Sequence, residues 1–202
     1  MSPENYVFTQ LLPYPENYLV KKLYKTPVLL YRLGLGKLFG SYLLILSTTG
    51  RKTKKTRHTP VEYFIHEGQY YVISGFGEQT DWYKNIMEHP QVTLQNGYER
   101  ICATARAPKT EEEWEAVHLY LTRSPVGRIL MADFLETLEG QTEDDLDADI
   151  LAHLKRLPVL TFEPTDKPCP PALEADLVWA WPLIFLGMAV DITILWLWRR
   201  KK

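Results

Sequence analysis

Short apolar runs, separated by turn-forming residues, dominate the middle of the chain. Their lengths and the residues that bound them are typical of strands. The predicted strands cover residues 42–47, 60–66, 69–74, 92–95, 98–106 and 158–163. Two pairs of strands are joined by the dipeptides Glu67-Gly68 and Asn96-Gly97, and Asn-Gly is the strongest short hairpin signal. The pattern therefore predicts a small antiparallel barrel built from hairpins.

Helical spacing of apolar residues occurs before, between and after these strands. Helices are predicted at residues 18–39, divided by Pro27, and at 81–88, 110–121, 125–138 and 143–154. Thr110 and Glu113 form the capping-box pattern with which many helices begin. Strands and helices together predict an α+β fold in which helices cover the barrel.

The last apolar segment, residues 177–198, has 22 residues and a single formal charge, Asp191. As a helix it would be about 33 Å long, which is enough to cross a hydrocarbon core. Tryptophans stand in pairs at both ends, as in the aromatic belts of membrane helices. We therefore predict one C-terminal transmembrane helix, with a helix buried in a partner protein as the alternative. Asp191 is then a functional or helix-pairing carboxylate, or a protonated side chain without a role.

These segments divide the chain into five predicted parts. They are basic amphipathic helices at 1–40, a barrel domain at 41–164, a Pro-rich linker at 165–176, the membrane helix at 177–198 and a basic tail at 199–202. The N-terminus has no secretory signal pattern. We therefore expect a single-pass protein of the cell membrane with its barrel in the cytoplasm, although the basic tail favours the opposite orientation.

Charge is distributed unevenly along the chain. Residues 17–61 contain ten basic residues and no acidic one, whereas residues 110–149 contain twelve acidic residues and two arginines. The basic part indicates an anionic partner: a phosphorylated cofactor, a lipid surface or a nucleic acid. Its helices either contact membrane lipid or pack on the barrel with solvated lysines. The chain lacks a nucleic-acid recognition motif, so we expect no nucleic-acid partner.

The cysteines and histidines predict neither a disulfide framework nor a metal site. Cys102 and Cys169 are too few for a framework, and we expect them to be reduced. The five histidines are scattered without ligand spacing. We therefore expect no metal.

The segment TTGRKTKKTRHTP, residues 48–60, lies between two predicted strands and suits phosphate. Gly50 allows close approach of the backbone, while hydroxyl and backbone N–H groups donate hydrogen bonds. Arg51 and Arg57 can each bind two oxygens at once, and the lysines add positive charge. The segment is not a Walker A loop, because the glycine spacing differs. The alternative interpretation is a solvated basic hairpin tip.

A second segment, SGFGEQTDWYKN, covers residues 74–85 and directly follows a predicted strand. Gly75 and Gly77 open a turn whose backbone could lie against a flat ring. Trp82 and Tyr83 either cover that ring or fill the core.

These segments, in order, resemble the deazaflavin-dependent nitroreductase family. TTGRKTKKTR, VEYFIHEGQYYVISGFG, DWYKNIMEHPQVTLQNG and ICATARAP carry the resemblance, which extends over about residues 27–164. The resemblance implies a split antiparallel β-barrel related to flavin-binding barrels. It also implies a reduced 8-hydroxy-5-deazaflavin coenzyme, coenzyme F420, that passes hydride to quinones or nitroaromatic compounds.

The resemblance assigns roles to particular residues. The phosphate and the acidic tail of the coenzyme would be held by Thr49, Gly50, Arg51, Lys52, Thr53 and Arg57. Ser74, Gly75 and Gly77 would meet the ring through backbone groups, and Trp82 and Asn85 would line its pocket. No catalytic residue is identified, and water or Tyr83 would supply a proton. The chain departs from the family where Lys54 replaces a usual glycine, and the expected tyrosine-rich substrate wall is not evident.

The resulting hypothesis is a membrane-anchored oxidoreductase that transfers hydride from reduced coenzyme F420 to a quinone or nitroaromatic acceptor. The coenzyme would carry the chemistry, and the protein would orient it. One alternative is a reductase of the same fold that uses flavin mononucleotide (FMN). Another is a non-catalytic module that binds a cofactor or lipid. Barrels of this type are similar to ones that dimerise, so a homodimer is a candidate assembly that the sequence does not fix.

Overall fold

The computed structural model describes residues 17, 22–124, 127 and 154–200, with side chains up to residue 191. Its strands are Leu43–Thr49 (β1), Thr56–Glu62 (β2), Phe64–His66 (β3), Gln69–Ile73 (β4), Gln91–Gln95 (β5), Arg100–Arg106 (β6) and Val159–Pro164 (β7). Its α-helices are Thr26–Arg32 (α1), Gly36–Phe39 (α2), Asp81–Glu88 (α3), Glu111–Arg123 (α4) and Trp181–Arg200 (α5). Short 3-10 helices occupy Gly77–Gln79 and Val178–Ala180. The helices predicted at 125–138 and 143–154 fall almost entirely outside the described residues.

All seven strands form one antiparallel sheet in the order β2-β1-β5-β6-β7-β4-β3. The two predicted hairpins are present as β3–β4 and β5–β6. Gly97 in the second hairpin has a φ of +88°, and a Cβ there would lie 2.4 Å from the backbone of Gly36. A glycine is therefore required both by the turn and by the close packing of α2 on it.

The prediction of a split antiparallel β-barrel is corrected, because the strands form an open sheet among the described residues. Its edge strands are β2 and β3, which are consecutive in the chain and separated by Tyr63 alone. The sequence predicted one strand over 60–66, but Tyr63 interrupts it, and its phenol hydroxyl donates to the carbonyl of Gly40. This break turns the chain from one edge of the curled sheet to the other without closing the ladder.

The main core lies inside the curled sheet. It contains residues from six strands and from α3, including Leu44, Val72 and Leu160, all fully buried, and Ile86 at 1% exposure. A second cluster lies between β4, β7 and α4, where Val117 and Leu121 are fully buried. The predicted capping box of α4 is present, since Thr110 accepts from the Glu113 amide at 3.2 Å and Glu113 accepts from the Thr110 amide.

Residues 165–176, predicted to be a Pro-rich linker, lie along the sheet. Gln95 bonds both the amide and the carbonyl of Leu173, at 3.0 and 3.1 Å. Cys169 forms a disulfide with Cys102 of β6, which contradicts the expectation of reduced thiols. Asp176 completes the attachment through two hydrogen bonds of 2.7 Å from Arg32 of α1. We call residues 165–176 the strap.

The predicted transmembrane helix is also corrected. A helix, α5, does occupy Trp181–Arg200, but within the described part of the chain no helix is both long and apolar enough to cross a membrane.

Candidate functional site

The basic loop between β1 and β2 is a compact turn. The amide of Gly50 donates to the carbonyl of Lys55 at 2.9 Å, and the amide of Lys54 donates to the carbonyl of Gly50 at 2.7 Å. A Cβ on Gly50 would lie 3.0 Å from Thr53 Oγ1 and 3.1 Å from the Lys55 carbonyl, so the turn is tightest with glycine there. These bonds hold residues 51–53 outward, at the tip of the loop.

The tip of the loop presents donors that the described residues leave available. The backbone N–H groups of Lys52 and Thr53 have no hydrogen-bond partner in the described part of the chain. The exposed side chains of Lys52, Lys55 and Arg57 have no acidic partner there, and Arg57 contacts Thr53 Oγ1 at 3.3 Å. Thr49, also predicted in this site, is the last residue of β1 and pairs with Thr56. Such a set of N–H, hydroxyl and cationic donors suits a phosphate or a carboxylate.

Arg51 is placed differently from the other cations of the loop. Its guanidinium pairs with Asp81 at 2.8 Å and also donates to Asn85 Oδ1 at 3.2 Å. Asn85 Oδ1 accepts from the backbone amide of Arg51 at 3.1 Å as well. Arg51 and Asn85 therefore fix the loop to α3. Asn85 is 4% exposed and lies outside the residues that line the cavity described below.

Lys54 stands where the resembled family usually has glycine. Its φ is +55°, in the left-handed region where glycine is favoured. The side chain of Lys54 contacts the end of α3, with Nζ 3.1 Å from Glu88 Oε1 and 2.7 Å from His89 Nε2. The loop therefore keeps its tight shape although glycine is missing at this position.

The turn that follows β4 is fixed by its own hydrogen bonds. The Ser74 hydroxyl donates to the carbonyl of Gly77 at 2.7 Å, and the Ser74 amide donates to Pro158 at 3.0 Å. Gly77 has a φ of +73°, which this turn needs. The amide of Gly75 has no partner among the described residues, so it remains available to a ligand. Ser74 and Gly77 thus shape the turn, and Gly75 offers the free backbone group.

A cavity of about 400 Å³ opens beside this turn. It is lined mainly by apolar and aromatic residues, among them Leu23, Tyr24 and Pro27 from the N-terminal segment and Pro60 and Val61 from β2. Ser74, Gly75 and Phe76 form one wall, and Trp82 of α3 contributes another part. The cavity has the size and the lining expected of a site for a flat organic ring.

Other lining residues were not predicted from the sequence. They include Glu62 at the end of β2, Tyr63 between β2 and β3, Phe64 of β3 and Tyr120 of α4. The first three fall within the single strand predicted at 60–66, so the strand pattern could have indicated them, but nothing local marks Tyr120. Tyr83, the candidate proton donor, is not among the lining residues and packs edge-on against Trp82 at 5.9 Å between ring centroids. Burial raises the pKa of the Tyr83 phenol.

Helix α3 connects the two parts of the site. Asp81 and Asn85 hold the basic loop, while Trp82, on the same helical turn, lines the cavity. Along β2, Arg57 and Pro60 are roughly 10 Å apart at the rise of a strand. An anion-binding loop and an apolar cavity thus lie at a separation that suits the phosphate and the ring of one cofactor. This arrangement fits the class of proteins that bind a phosphorylated, flat-ringed cofactor.

Comparison with known proteins agrees with this class. Residues 31–126 match the F420H(2)-dependent quinone reductase family. The match confirms the predicted kinship with deazaflavin-dependent reductases, and the matched part contains the basic loop, α3 and most of the cavity lining. The protein is an oxidoreductase, and its cofactor is coenzyme F420. The flavin alternative and the non-catalytic alternative are set aside accordingly.

Two similar solved structures are noted. An F420-H2 dependent reductase (FDR-A) shares 22% identity over 60% of this chain and 93% of its own, with a TM-score of 0.42. A NimC/NimA family protein from Clostridium acetobutylicum shares 17% identity over 62% of this chain and 78% of its own, with a TM-score of 0.37. The family assignment depends on the sequence match and not on these two structures.

Proposed function

We propose that this protein transfers hydride from reduced coenzyme F420 to a quinone that lies against the deazaflavin ring in the apolar cavity. The observation that carries the proposal is the position of the cavity, directly beside the Ser74–Gly75 turn and Trp82. A flat, uncharged quinone suits a cavity lined mainly by apolar and aromatic side chains. A nitroaromatic compound has the same flat shape and is the second candidate acceptor.

The residues of the site have separable tasks in this proposal. Lys52, Thr53 and Arg57 would bind the anionic part of the coenzyme, and the bonds from Asn85 to Arg51 would keep their loop in place. The free amide of Gly75 and the ring of Trp82 would orient the deazaflavin. The coenzyme supplies the hydride when bound, and the apolar lining excludes water from it.

The test uses the full chain with reduced coenzyme F420 and a naphthoquinone, following the absorbance of the oxidised deazaflavin. We expect turnover with the naphthoquinone, and we expect Arg57→Glu to raise the KM for the coenzyme about tenfold or more by replacing attraction with repulsion. Arg100→Glu, at an exposed arginine of β6, is the charge-matched control. Absence of turnover with both naphthoquinone and nitroaromatic acceptors would refute the proposal.

A second proposal concerns contact with anionic lipid at the surface. Near the N-terminal end, three large apolar side chains are 70–74% exposed, and exposed lysines lie close to them in the sequence. These residues are Leu23, Leu38 and Tyr42 with Lys22, Lys25 and Lys37. Apolar and basic side chains together favour the surface of an anionic bilayer.

Sedimentation with phosphatidylglycerol and phosphatidylcholine vesicles tests this contact. We expect binding to the anionic vesicles that weakens in Leu38→Glu, whereas Glu112→Gln, on the exposed face of α4, should bind as the unmodified protein does. Equal binding to both kinds of vesicle would contradict a charge-dependent contact.

The homodimer and the location of the protein in the cell stay predictions.

A further inference from the structure

One wall of the cavity carries a hydrogen-bonded pair from two distant parts of the chain. Glu62, the last residue of β2, and Tyr120 of α4 both line the cavity, and the Tyr120 hydroxyl donates to Glu62 Oε1. The Tyr120 ring is stacked on Phe64, with centroids 4.2 Å apart and planes 6° from parallel. Phe64 is stacked in turn on Tyr71 at 4.9 Å. The phenol is therefore fixed, and it holds the carboxylate at the cavity wall.

Glu62 is the one formally charged residue among the described residues that line the cavity. In the described part of the chain no salt bridge joins it to a cation. The carboxylate accepts the phenol hydrogen bond, and it presents its formal negative charge to the cavity without an ion-pair partner among the described residues. Because the surroundings are apolar, this charge acts on a ligand in the cavity more strongly than it would in water.

We propose that Glu62, positioned by Tyr120, makes the cavity selective for uncharged acceptors and rejects anionic ones. This inference rests on the proposed reduction of an acceptor in the cavity and specifies the acceptor class. Repulsion between the carboxylate and an anionic ring disfavours binding, whereas a neutral quinone of the same shape is unaffected. Substrate class is thereby determined by one charge in an otherwise apolar wall.

The experiment compares a neutral naphthoquinone with a sulfonated naphthoquinone of the same ring system. Glu62→Gln in the full chain removes the charge but keeps the size of the side chain and an oxygen that accepts from Tyr120. We expect the ratio of kcat/KM for the neutral to the sulfonated acceptor to fall about tenfold in this variant, the effect of one nearby charge. Glu112→Gln, an exposed acid on the helix that carries Tyr120, should leave the ratio unchanged.

Tyr120→Phe removes the hydrogen bond to Glu62 and leaves the carboxylate of Glu62 in place. This variant keeps the carboxylate, so we expect it to retain preference for the neutral acceptor while its KM values change. Glu62→Ser provides a second uncharged replacement should the glutamine variant fold poorly, and the same loss of selectivity is expected. Quenching of tryptophan fluorescence by the two quinones measures selectivity without turnover, since Trp82 lines the cavity.

The outcomes separate this inference from the proposed function. If both acceptors are reduced or bound and the ratio is unchanged in Glu62→Gln and Glu62→Ser, the inference is overturned. If the unmodified protein prefers the sulfonated quinone, the inference is overturned as well. If neither quinone is reduced, but the neutral quinone quenches tryptophan fluorescence more strongly than the sulfonated one and Glu62→Gln removes the difference, the proposed reaction fails while the charge selectivity stands.

Discussion

At the scale of single residues, Lys54 shows how a strained position is accommodated. A non-glycine residue at a φ of +55° costs about 1 kcal/mol. The Lys54–Glu88 ion pair is exposed, with side-chain exposures of 60% and 51%, so it recovers little of that cost. The strain is therefore mostly retained in the folded protein.

The first prediction compares two replacements of Lys54. Lys54→Ala and Lys54→Gly both lose the ion pair, but glycine alone relieves the left-handed strain. We expect Lys54→Gly to be more stable than Lys54→Ala by about 1 kcal/mol, measured by urea unfolding. Equal stabilities would show that the backbone at position 54 is unstrained.

The second prediction concerns Asn85. Replacement by alanine removes the acceptor of the Arg51 amide, and a polar group that loses its partner costs about 1–3 kcal/mol. We expect Asn85→Ala to lose stability in this range and to bind coenzyme F420 more weakly, because the basic loop is no longer fixed to α3. Lys84→Ala, an exposed neighbour on the same helix, should change both by little. Unchanged coenzyme affinity in Asn85→Ala would mean that the loop keeps its shape without this brace.

At the scale of elements, Glu113 at the N-terminus of α4 forms hydrogen bonds that join this helix to the sheet. Arg106 of β6 donates to both Glu113 oxygens, at 2.6 and 3.0 Å, and the amide of Lys109 donates to the same carboxylate. These bonds, that from Arg106 first, lower the pKa of Glu113 to about 2 from its ordinary 4.5. Glu113 thus connects the helix to the sheet as well as capping it.

The third prediction follows from this lowered pKa. Since the folded pKa lies below the unfolded one, the stabilisation is present above pH 4.5 and is lost as pH falls towards 2. With the side chain 15% exposed, its size is on the order of 2 kcal/mol after screening. Urea unfolding of Glu113→Gln should show this deficit at pH 7 and a shrinking deficit between pH 4.5 and 2. A deficit independent of pH would argue against the ionic origin.

Local sequence signals predicted some boundaries of helices and strands correctly and missed others. The helix predicted at 81–88 coincides with α3, and the capping box of α4 was confirmed, because both depend on neighbours within one or two turns. The break at Tyr63 was missed, and the hydroxyl of this residue bonds to Gly40, 23 residues earlier, a contact that no local signal marks. Sequence periodicity alone cannot locate such an interruption.

At the scale of the whole molecule, the strap and its disulfide connect the two ends of the fold. The Cys102–Cys169 bond closes a separation of 67 residues, and the Arg32–Asp176 pair connects the strap to α1. A crosslink of this span restricts the unfolded chain substantially. The bond therefore stabilises the fold without contributing to the cavity.

The fourth prediction is that loss of the disulfide lowers stability without abolishing coenzyme binding. We expect Cys102→Ser with Cys169→Ser to lose about 2–4 kcal/mol in urea unfolding. A reductant should lower the stability of the unmodified protein by a similar amount and leave the double variant unchanged. Insensitivity of the unmodified protein to reductant would contradict the bond.

The sequence by itself determined the local elements and the chemistry of two segments. Hairpin dipeptides, the capping box and the composition of the basic loop act over a few residues, so they can be read without the fold. The resemblance carried by these segments also predicted the family and its cofactor correctly. The separate roles of the loop residues stay predictions.

The tertiary structure decided what depends on distant contacts. It opened the sheet at Tyr63, joined Cys102 to Cys169, and placed Asn85 against the backbone of Arg51. It also brought Tyr120 to Glu62, 58 residues apart, to form a charged position in an apolar cavity. Such pairings depend on the course of the whole chain, because a side chain at either end carries no local mark of its partner.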